Sequence, residues 1–155
     1  MTERLVRGHE IPDDLEITYT SSAFEMHPDL YLPEVKQGVY YIASSGRIKY
    51  GLLNSQFTIV SRLDPNSGDY QETLRSVKIC DVIIWELFRR RGIGTNFLKY
   101  AEEDARTFRA NTIWGLLVPL DLVERPWLPQ FYSKNGYEVE DKNGYYEVRK
   151  TLSSI

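Results

Sequence analysis

The feature that most constrains the fold is a strand-like segment that passes through three arginines and two glycines into an amphipathic helix. From Leu74 to Leu87, side chains alternate in the manner of a long β-strand. Between residues 95 and 108, apolar residues recur at helical spacing, with charged residues on the other side. Because the start of a helix carries a partial positive charge, arginines are unfavourable there until an anion arrives. The segment therefore predicts a phosphate-binding strand, turn and helix.

Strict alternation along the predicted strand assigns every side chain to one of two faces. The first face would carry Leu74, Ser76, Lys78, Cys80, Val82 and Ile84. Asp81 would lie on the opposite face, so strand parity excludes it from any site that Lys78 or Cys80 helps to form.

Gly92 and Gly94 lie in the predicted turn, where glycine lets a ligand approach the backbone closely. Amide groups at the start of a helix can then hold phosphate oxygens. We expect Gly94→Glu to abolish phosphate binding while sparing the fold. On this segment alone, a solvated turn with a chance pair of glycines stays open as the alternative.

Strands and helices alternate along the rest of the chain, which predicts an α/β or α+β fold around a mixed sheet. The patterns predict strands at Glu16–Thr20, Val39–Ala43, Ile48 to about Leu63 and Asn111–Val118, a short helix at Pro126–Asn135, and a closing hairpin of residues 137–139 and 145–152. Residues 1–14 are polar, so we expect a loosely held, flexible N-terminal segment. Residues 21–37 predict short helical turns and loop that form a wall on the substrate side. At 155 residues, the chain suffices for a single domain over residues 1–155.

Charge and composition exclude several classes of function. The chain carries 19 basic and 22 acidic residues, and this net charge of -3 argues against a nucleic-acid partner. Cys80 is the single cysteine, so neither an intramolecular disulfide nor a cysteine zinc site is expected. Apolar runs fall well short of the roughly 18 residues of a membrane span, and no secretion signal precedes the first strand. We expect a cytoplasmic protein that binds neither a membrane nor a metal ion. Whether it forms a homodimer is left open by the sequence.

The turn and the segments after it resemble the GNAT superfamily, the GCN5-related N-acetyltransferases. The family's motif A reads Arg/Gln-x-x-Gly-x-Gly/Ala, and Arg89, Gly92 and Gly94 fill its three fixed positions. The family also has an aromatic-tyrosine pair followed by a glycine-aromatic step, filled here by Phe131-Tyr132 and Gly136-Tyr137. The resemblance covers residues 74–152 well and residues 1–70 only loosely.

The resemblance implies an α/β (α+β) fold with a mixed, mostly antiparallel central sheet, flanked by helices, in which two splayed strands form an acyl-CoA cleft. It implies acetyl-CoA as the cosubstrate and acetyl transfer to an amine by direct attack in a ternary complex. The residues that it assigns to acetyl-CoA are Ile84, Trp85, Glu86, Arg89, Arg90, Arg91, Gly92, Ile93, Gly94 and Thr95.

Tyr132 matches the tyrosine that donates a proton to the departing CoA thiolate in many family members; its alternative role is core packing. Two departures accompany this match. Seven residues before Tyr132, where the family often has asparagine, this chain has Arg125. The strand positions that often hold a glutamate or histidine base are occupied by Lys78 and Cys80.

A proton acceptor for the amine must therefore come from elsewhere, or a water relay must replace it. The candidates on predicted loops are Glu25, His27, Asp121 and Glu124. The missing strand base keeps open a second class of function, a catalytically silent acyl-CoA-binding module that acts as a sensor or in protein interactions. The acceptor, whether a small molecule or a protein amine, is not identified by the sequence.

Overall fold

The computed structural model describes residues 2–7, 16–22, 33–85 and 92–152. Its strands are β1 (Thr2–Arg7), β2 (Glu16–Ser21), β3 (Glu34–Ser45), β4 (Ile48–Leu63), β5 (Tyr70–Ile84), β6 (Thr112–Leu117), β7 (Glu138–Asp141) and β8 (Tyr146–Thr151). Its helices are α1 (Ile93–Thr107), α2 (Pro119–Glu124) and α3 (Leu128–Lys134). In these described ranges the strands form one sheet in the order β1-β2-β3-β4-β5-β6-β8-β7. Among the strands that the structure describes, only β5 and β6 pair in parallel, which confirms the predicted mixed, mostly antiparallel sheet.

Helix α1 supplies one side of the core and contacts β3, β4, β5 and β6. Its buried apolar residues recur at helical spacing, as the sequence predicted; they include Phe97, Leu98, Ala101 and Ala105. Burying a side chain as large as Phe or Leu contributes roughly 1.5–3 kcal/mol, so this stripe fixes the helix on the sheet. In the described part of the chain, no helix is long and apolar enough to cross a membrane.

Two segments near the N-terminus differ from the prediction. Residues 2–7 were expected in a loosely held start but form β1, which pairs with β2 from Thr2↔Ser21 to Arg7↔Glu16. An edge strand needs only one neighbour for its backbone hydrogen bonds, so a weak apolar pattern does not exclude it. Residues 34–37, expected in turns, begin β3. The rest of the predicted substrate-side wall, residues 23–32, lies outside the described residues.

Strand β5 contains a bulge at Cys80. Its pairing with β4 sets Asp81 opposite Asn54 but Ile79 opposite Ser55, which leaves Cys80 with no opposite residue. An extra residue in one strand shifts the alternation of side chains by one position. The two faces predicted by strict alternation are therefore wrong beyond Ile79.

The burial of β5 side chains follows this shift. The residues that face the core are Val77, Ile79, Val82 and Ile84. Asp81 consequently shares the other face of the strand with Lys78, contrary to the parity argument from the sequence. The sequence argument missed the bulge because it arises from the pairing of β5 with β4, and the periodicity of one strand contains no information about its neighbour.

The sheet opens between β5 and β6. Their parallel ladder runs only from Ser76↔Thr112 to Ile79↔Gly115, whereas β5 continues to Ile84. Strand β6 stays paired with β8 as far as Leu117, so the two strands separate after Ile79. This confirms the predicted pair of splayed strands, and the bulge at Cys80 lies where the opening begins.

Candidate functional site

Tyr132 lies on α3 with only 2% of its surface exposed. Its ring packs against the rings of Phe131 and Tyr137, each with a centroid distance of 5.3 Å. Burial raises the pKa of the Tyr132 phenol far above its ordinary value, and the negative charge of Asp81 raises it further. The phenol is protonated at neutral pH, and the raised pKa makes it a weaker acid than a free tyrosine.

The charged and ionisable groups that act on the Tyr132 phenol belong to the opening of the sheet. The side chains that influence its pKa electrostatically are Asp81, Arg125, Asp121 and Cys80. Two of these belong to β5 at the bulge, and the other two belong to α2 and the residue after it. The ring of Tyr132 is thus part of the core, while groups at the opening act on the pKa of its phenol.

Arg125 links the two sides of this opening. Its Nη2 lies 2.8 Å from Asp121 Oδ1 and 3.6 Å from Asp81 Oδ1. Asp121 Oδ2 in turn accepts a hydrogen bond of 3.0 Å from the backbone N–H of Val118, at the start of α2. Asp121, a candidate base from the sequence, is thus held in a structural network.

The start of α1 adjoins α3. Gly92 is the N-cap residue, with a left-handed φ of 79° and no side-chain cap, and its position is exposed. The first amides of any α-helix lack intrahelical partners and can bind an anion. Gly94 is buried, and a Cβ at that position would lie 2.8 Å from Cε1 of Phe131. The expectation that Gly94→Glu spares the fold is therefore wrong, because the ring of Phe131 occupies the space that a side chain needs.

The other residues expected to hold acetyl-CoA have different placements. Ile84 ends β5 with 5% exposure, whereas 45% of Trp85 is exposed. The backbone N–H of Trp85 donates to the Tyr50 carbonyl at 3.2 Å, so this N–H points towards β4 and away from the opening. Ile93 is buried and Thr95 is exposed in the first turn of α1. Six candidate residues lie outside the described residues: Glu25, His27, Glu86, Arg89, Arg90 and Arg91.

The groups at the family's usual base positions have other surroundings. Nζ of Lys78 lies 5.2 Å from the ring centroid of Trp114, and burial raises the pKa of the Cys80 thiol above its ordinary value. Glu124 is exposed on α2. Asp81, which the sequence argument excluded, is the carboxylate of β5 that pairs with Arg125 and whose charge acts on the Tyr132 phenol. The signal that could have found it is the bulge, which only the register with β4 reveals.

A cavity of about 290 Å³ lies beside α1 near the end of α3. Its lining residues are Thr95, Lys99, Glu102, Glu103, Arg106, Asn135 and Lys150. Nζ of Lys150 donates to Glu102 Oε1 at 2.5 Å and to the Asn135 carbonyl at 3.2 Å, and so links α1 to the residue that follows α3. Within the described ranges, no three His, Cys, Asp or Glu side chains are grouped to hold a metal ion.

Solved structures of acetyltransferases share this architecture. A protein from Desulfovibrio desulfuricans assigned to the GNAT family of acetyltransferases is 13% identical, with a TM-score of 0.55 over 75% of this chain and 69% of its own. An aminoglycoside 6′-N-acetyltransferase complexed with coenzyme A is 16% identical, with a TM-score of 0.52 over 76% and 74%. A GNAT-family acetyltransferase from Staphylococcus aureus is 14% identical, with a TM-score of 0.51 over 75% and 69%. No protein-family model and no curated protein matches the chain. These likenesses show the fold, which is the one that the sequence resemblance implied.

Proposed function

We propose that this chain, which has the fold of the GNAT acetyltransferases, is an acetyl-CoA-dependent N-acetyltransferase that transfers an acetyl group to an amine by direct attack in a ternary complex. The observation that carries the proposal is the position of Tyr132. Its buried phenol is under the electrostatic influence of Asp81 and Cys80 at the bulge, where β5 and β6 separate. A thioester seated between the two strands would bring its sulfur to this proton donor.

Tyr132 acts in the proposed reaction as the general acid. The amine nitrogen forms a bond to the acetyl carbon, the bond from that carbon to sulfur breaks, and Tyr132 protonates the departing thiolate. Solvent then returns a proton to the phenolate. Burial raises the pKa of Tyr132, so the phenol is protonated before the reaction but is a weaker acid than a free tyrosine, and it gives up its proton only as negative charge develops on the sulfur. A positioned general acid contributes about 10²- to 10⁴-fold to such a step.

Asp81 is the group that we assign to the proton of the amine. Its side chain is 45% exposed, and its charge is close enough to Tyr132 to raise the pKa of the phenol. An amine reaches the site mostly as an ammonium ion, which a carboxylate attracts and from which it can remove a proton directly or through water. The bulge at Cys80 puts Asp81 on the same face of β5 as Lys78, which supports this assignment although strand parity had excluded Asp81.

The phosphate end of acetyl-CoA suits the start of α1 and the cavity beside it. The N-terminus of a 15-residue helix favours negative charge, and none of the described atoms lies within 4 Å of the point where a Cβ on Gly92 would be. The cavity carries the cationic side chains Lys99, Arg106 and Lys150 beside Glu102 and Glu103; since Lys150 pairs with Glu102, Lys99 and Arg106 are the cations that we assign to the phosphates. Thr95 lines the cavity from the first turn of the helix, which connects the two parts of the proposed binding site.

The test is consumption of acetyl-CoA by the purified protein with a panel of small amines and peptide N-termini. We expect amine-dependent release of free CoA and an equal amount of acetylated amine by mass spectrometry. Calorimetric binding of acetyl-CoA without turnover of any amine would instead support the acyl-CoA-binding module. Absence of binding at millimolar acetyl-CoA, in protein shown to carry no CoA already, would overturn both functions.

A further inference from the structure

Two side chains of opposite charge, Lys78 and Asp81, lie on one face of β5 beside the opening of the sheet. The neighbouring β5 residues that face the core are Val77, Ile79 and Val82. Lys78 and Asp81 therefore both lie on the face away from the core. On β4, Gln56 lies opposite Lys78, and Asn54 lies opposite Asp81. Since Gln56 and Asn54 are two residues apart in one strand, the two charged side chains leave the sheet about 7 Å apart.

The two charges have different neighbours and flank an exposed residue. Nζ of Lys78 lies 5.2 Å from the ring centroid of Trp114 on β6, whereas Asp81 Oδ1 lies 3.6 Å from Nη2 of Arg125. Burial raises the pKa of the Cys80 thiol, Lys78 lowers it and Asp81 raises it further, so both charges are close to Cys80. Because Cys80 is exposed, solvent reaches the space between the two charges.

A cation and an anion on one accessible face are complementary to a ligand that carries both charges. Asp81 is the group that we assign to the ammonium ion of the acceptor. A second ammonium group on the same acceptor would come close to Lys78, where like charges repel. A carboxylate or phosphate on the acceptor would instead accept a charge-assisted hydrogen bond from Lys78. The spacing of about 7 Å is one that a molecule the size of an amino acid can bridge.

We infer that the acceptor is a small amine that also carries an anionic group, and that Lys78 binds this group while Asp81 binds the ammonium ion. The inference rests on the proposed function and deepens it by naming the chemical class of the acceptor. An α-amino acid and phosphoethanolamine both have this chemistry, the first with a carboxylate and the second with a phosphate. Lys78 is then a residue that determines specificity, because it distinguishes such acceptors from neutral amines and from diamines.

The test measures kcat/KM, by release of free CoA, for α-amino acids beside their amides and for phosphoethanolamine beside ethanolamine. Within each pair only the first substrate carries the anionic group. Lys78→Gln should lower the ratio of the two kcat/KM values about tenfold, which is the lower end of the range for a hydrogen bond from a charged group. Comparing this ratio between variant and parent cancels the difference in amine basicity within a pair. The pair that shows the fall identifies the anionic group as a carboxylate or a phosphate.

The controls separate recognition of the anion from folding and from net charge. Lys78→Arg keeps the cation and should keep most of the preference, whereas Lys78→Glu should favour putrescine, a diamine, over the amino acids. Lys36→Gln removes the same charge from an exposed lysine of β3 that pairs with Glu34 at 3.4 Å, and should leave the ratio unchanged. Thermal unfolding checks that each variant is folded, and Lys78→Glu supplies the measurement if Lys78→Gln is not folded.

Failure of this inference is distinguishable from failure of the proposed function. If the parent acetylates neutral amines or putrescine but no amine with an anionic group, the inference is overturned and the proposed function stands. The same holds if Lys78→Gln leaves every ratio as it is in the parent. If the parent acetylates no amine of the panel, with or without binding of acetyl-CoA, the proposed function fails and this inference fails with it.

Discussion

Gly94 on α1 lies directly against the ring of Phe131 on α3, so closely that a Cβ on Gly94 would be 2.8 Å from Cε1 and 2.9 Å from Cζ of the ring. Phe131 precedes Tyr132 on the same helix. The start of α1, where we place the phosphates, is therefore packed against the helix that carries the proposed general acid. A displacement of one helix would move the other part of the site.

Gly94→Ala should destabilise the protein by about 1 kcal/mol. Overpacking typically costs about 1–3 kcal/mol, and the better helix propensity of alanine returns up to about 1 kcal/mol of it. For a chain of this size, 1 kcal/mol corresponds to a fall in Tm of about 2–4 °C. Thermal unfolding followed by circular dichroism measures the change.

Thr95→Ala is the matched control for Gly94→Ala, because Thr95 is the next residue of the helix and is exposed. Phe131→Leu, which shortens the opposing side chain, should reduce the cost of the added methyl group when the two substitutions are combined. If the Gly94→Ala protein is as stable as the parent, the prediction is contradicted, because α3 then moves away from the added methyl group without a cost in stability.

Tyr132→Phe should lower kcat by at least about 100-fold while changing the Kd of acetyl-CoA by less than about threefold. The phenol is proposed to act as charge develops on sulfur, so its removal affects the transition state more than the bound state. The ring and its contacts with Phe131 and Tyr137 remain, which preserves the fold. Tyr145→Phe, at an exposed tyrosine, is the control. Equal kcat values for Tyr132→Phe and the parent would leave Tyr132 a packing residue.

Cys80 provides a reporter for the opening, because it is the single cysteine and lies at the bulge. Burial raises its pKa, so less of the reactive thiolate is present at neutral pH than in a free thiol. We expect iodoacetamide to react more slowly with Cys80 than with N-acetylcysteine amide, at a rate that still increases above pH 9. Acetyl-CoA should slow the reaction further by filling the opening.

The Cys80 labelling is measured by intact mass, with Cys80→Ser as the blank. Protection should depend on acetyl-CoA concentration with the Kd found by calorimetry. If saturating acetyl-CoA leaves the rate unchanged, the ligand does not occupy the space between β5 and β6.

Tyr137→Phe should make stability less sensitive to alkaline pH. Burial raises the pKa of the Tyr137 phenol above its ordinary value of 10.0, and the nearby Glu102 carboxylate raises it further. Above pH 10 the unfolded chain therefore releases this proton while the folded chain keeps it, so stability present below pH 10 is lost as pH rises. The slope for one such group is about 1.4 kcal/mol per pH unit.

Urea unfolding between pH 9 and pH 11 measures this dependence. Tyr132 and Tyr19 also have raised pKa values, so the variant should lose only the share that Tyr137 contributes. Its stability at pH 8 should fall by about 1 kcal/mol, because Glu102 loses the hydrogen bond of 3.3 Å from the phenol. Parallel curves for the variant and the parent would contradict the raised pKa.

The sequence by itself determined the local elements on the C-terminal side of the chain. The periodicity of residues 95–108 predicted α1, and the apolar run at Asn111–Val118 predicted β6 to within one residue at each end. The turn at Asp141–Gly144 likewise separates β7 from β8. These features depend on side-chain periodicity and on turn residues, which act over a few neighbours and can be found in a single sequence.

The tertiary structure alone decided which side chains meet at the site. Pairing with β4 forces the bulge at Cys80, and the bulge turns Asp81 towards Arg125. Because α3 packs on α1, Gly94 is also needed for the contact between these two helices. The sequence pattern that predicts phosphate binding gives no sign of this contact. Strand register and helix contacts join residues far apart in the chain, so the physical forces that set them come from partners that no local pattern contains.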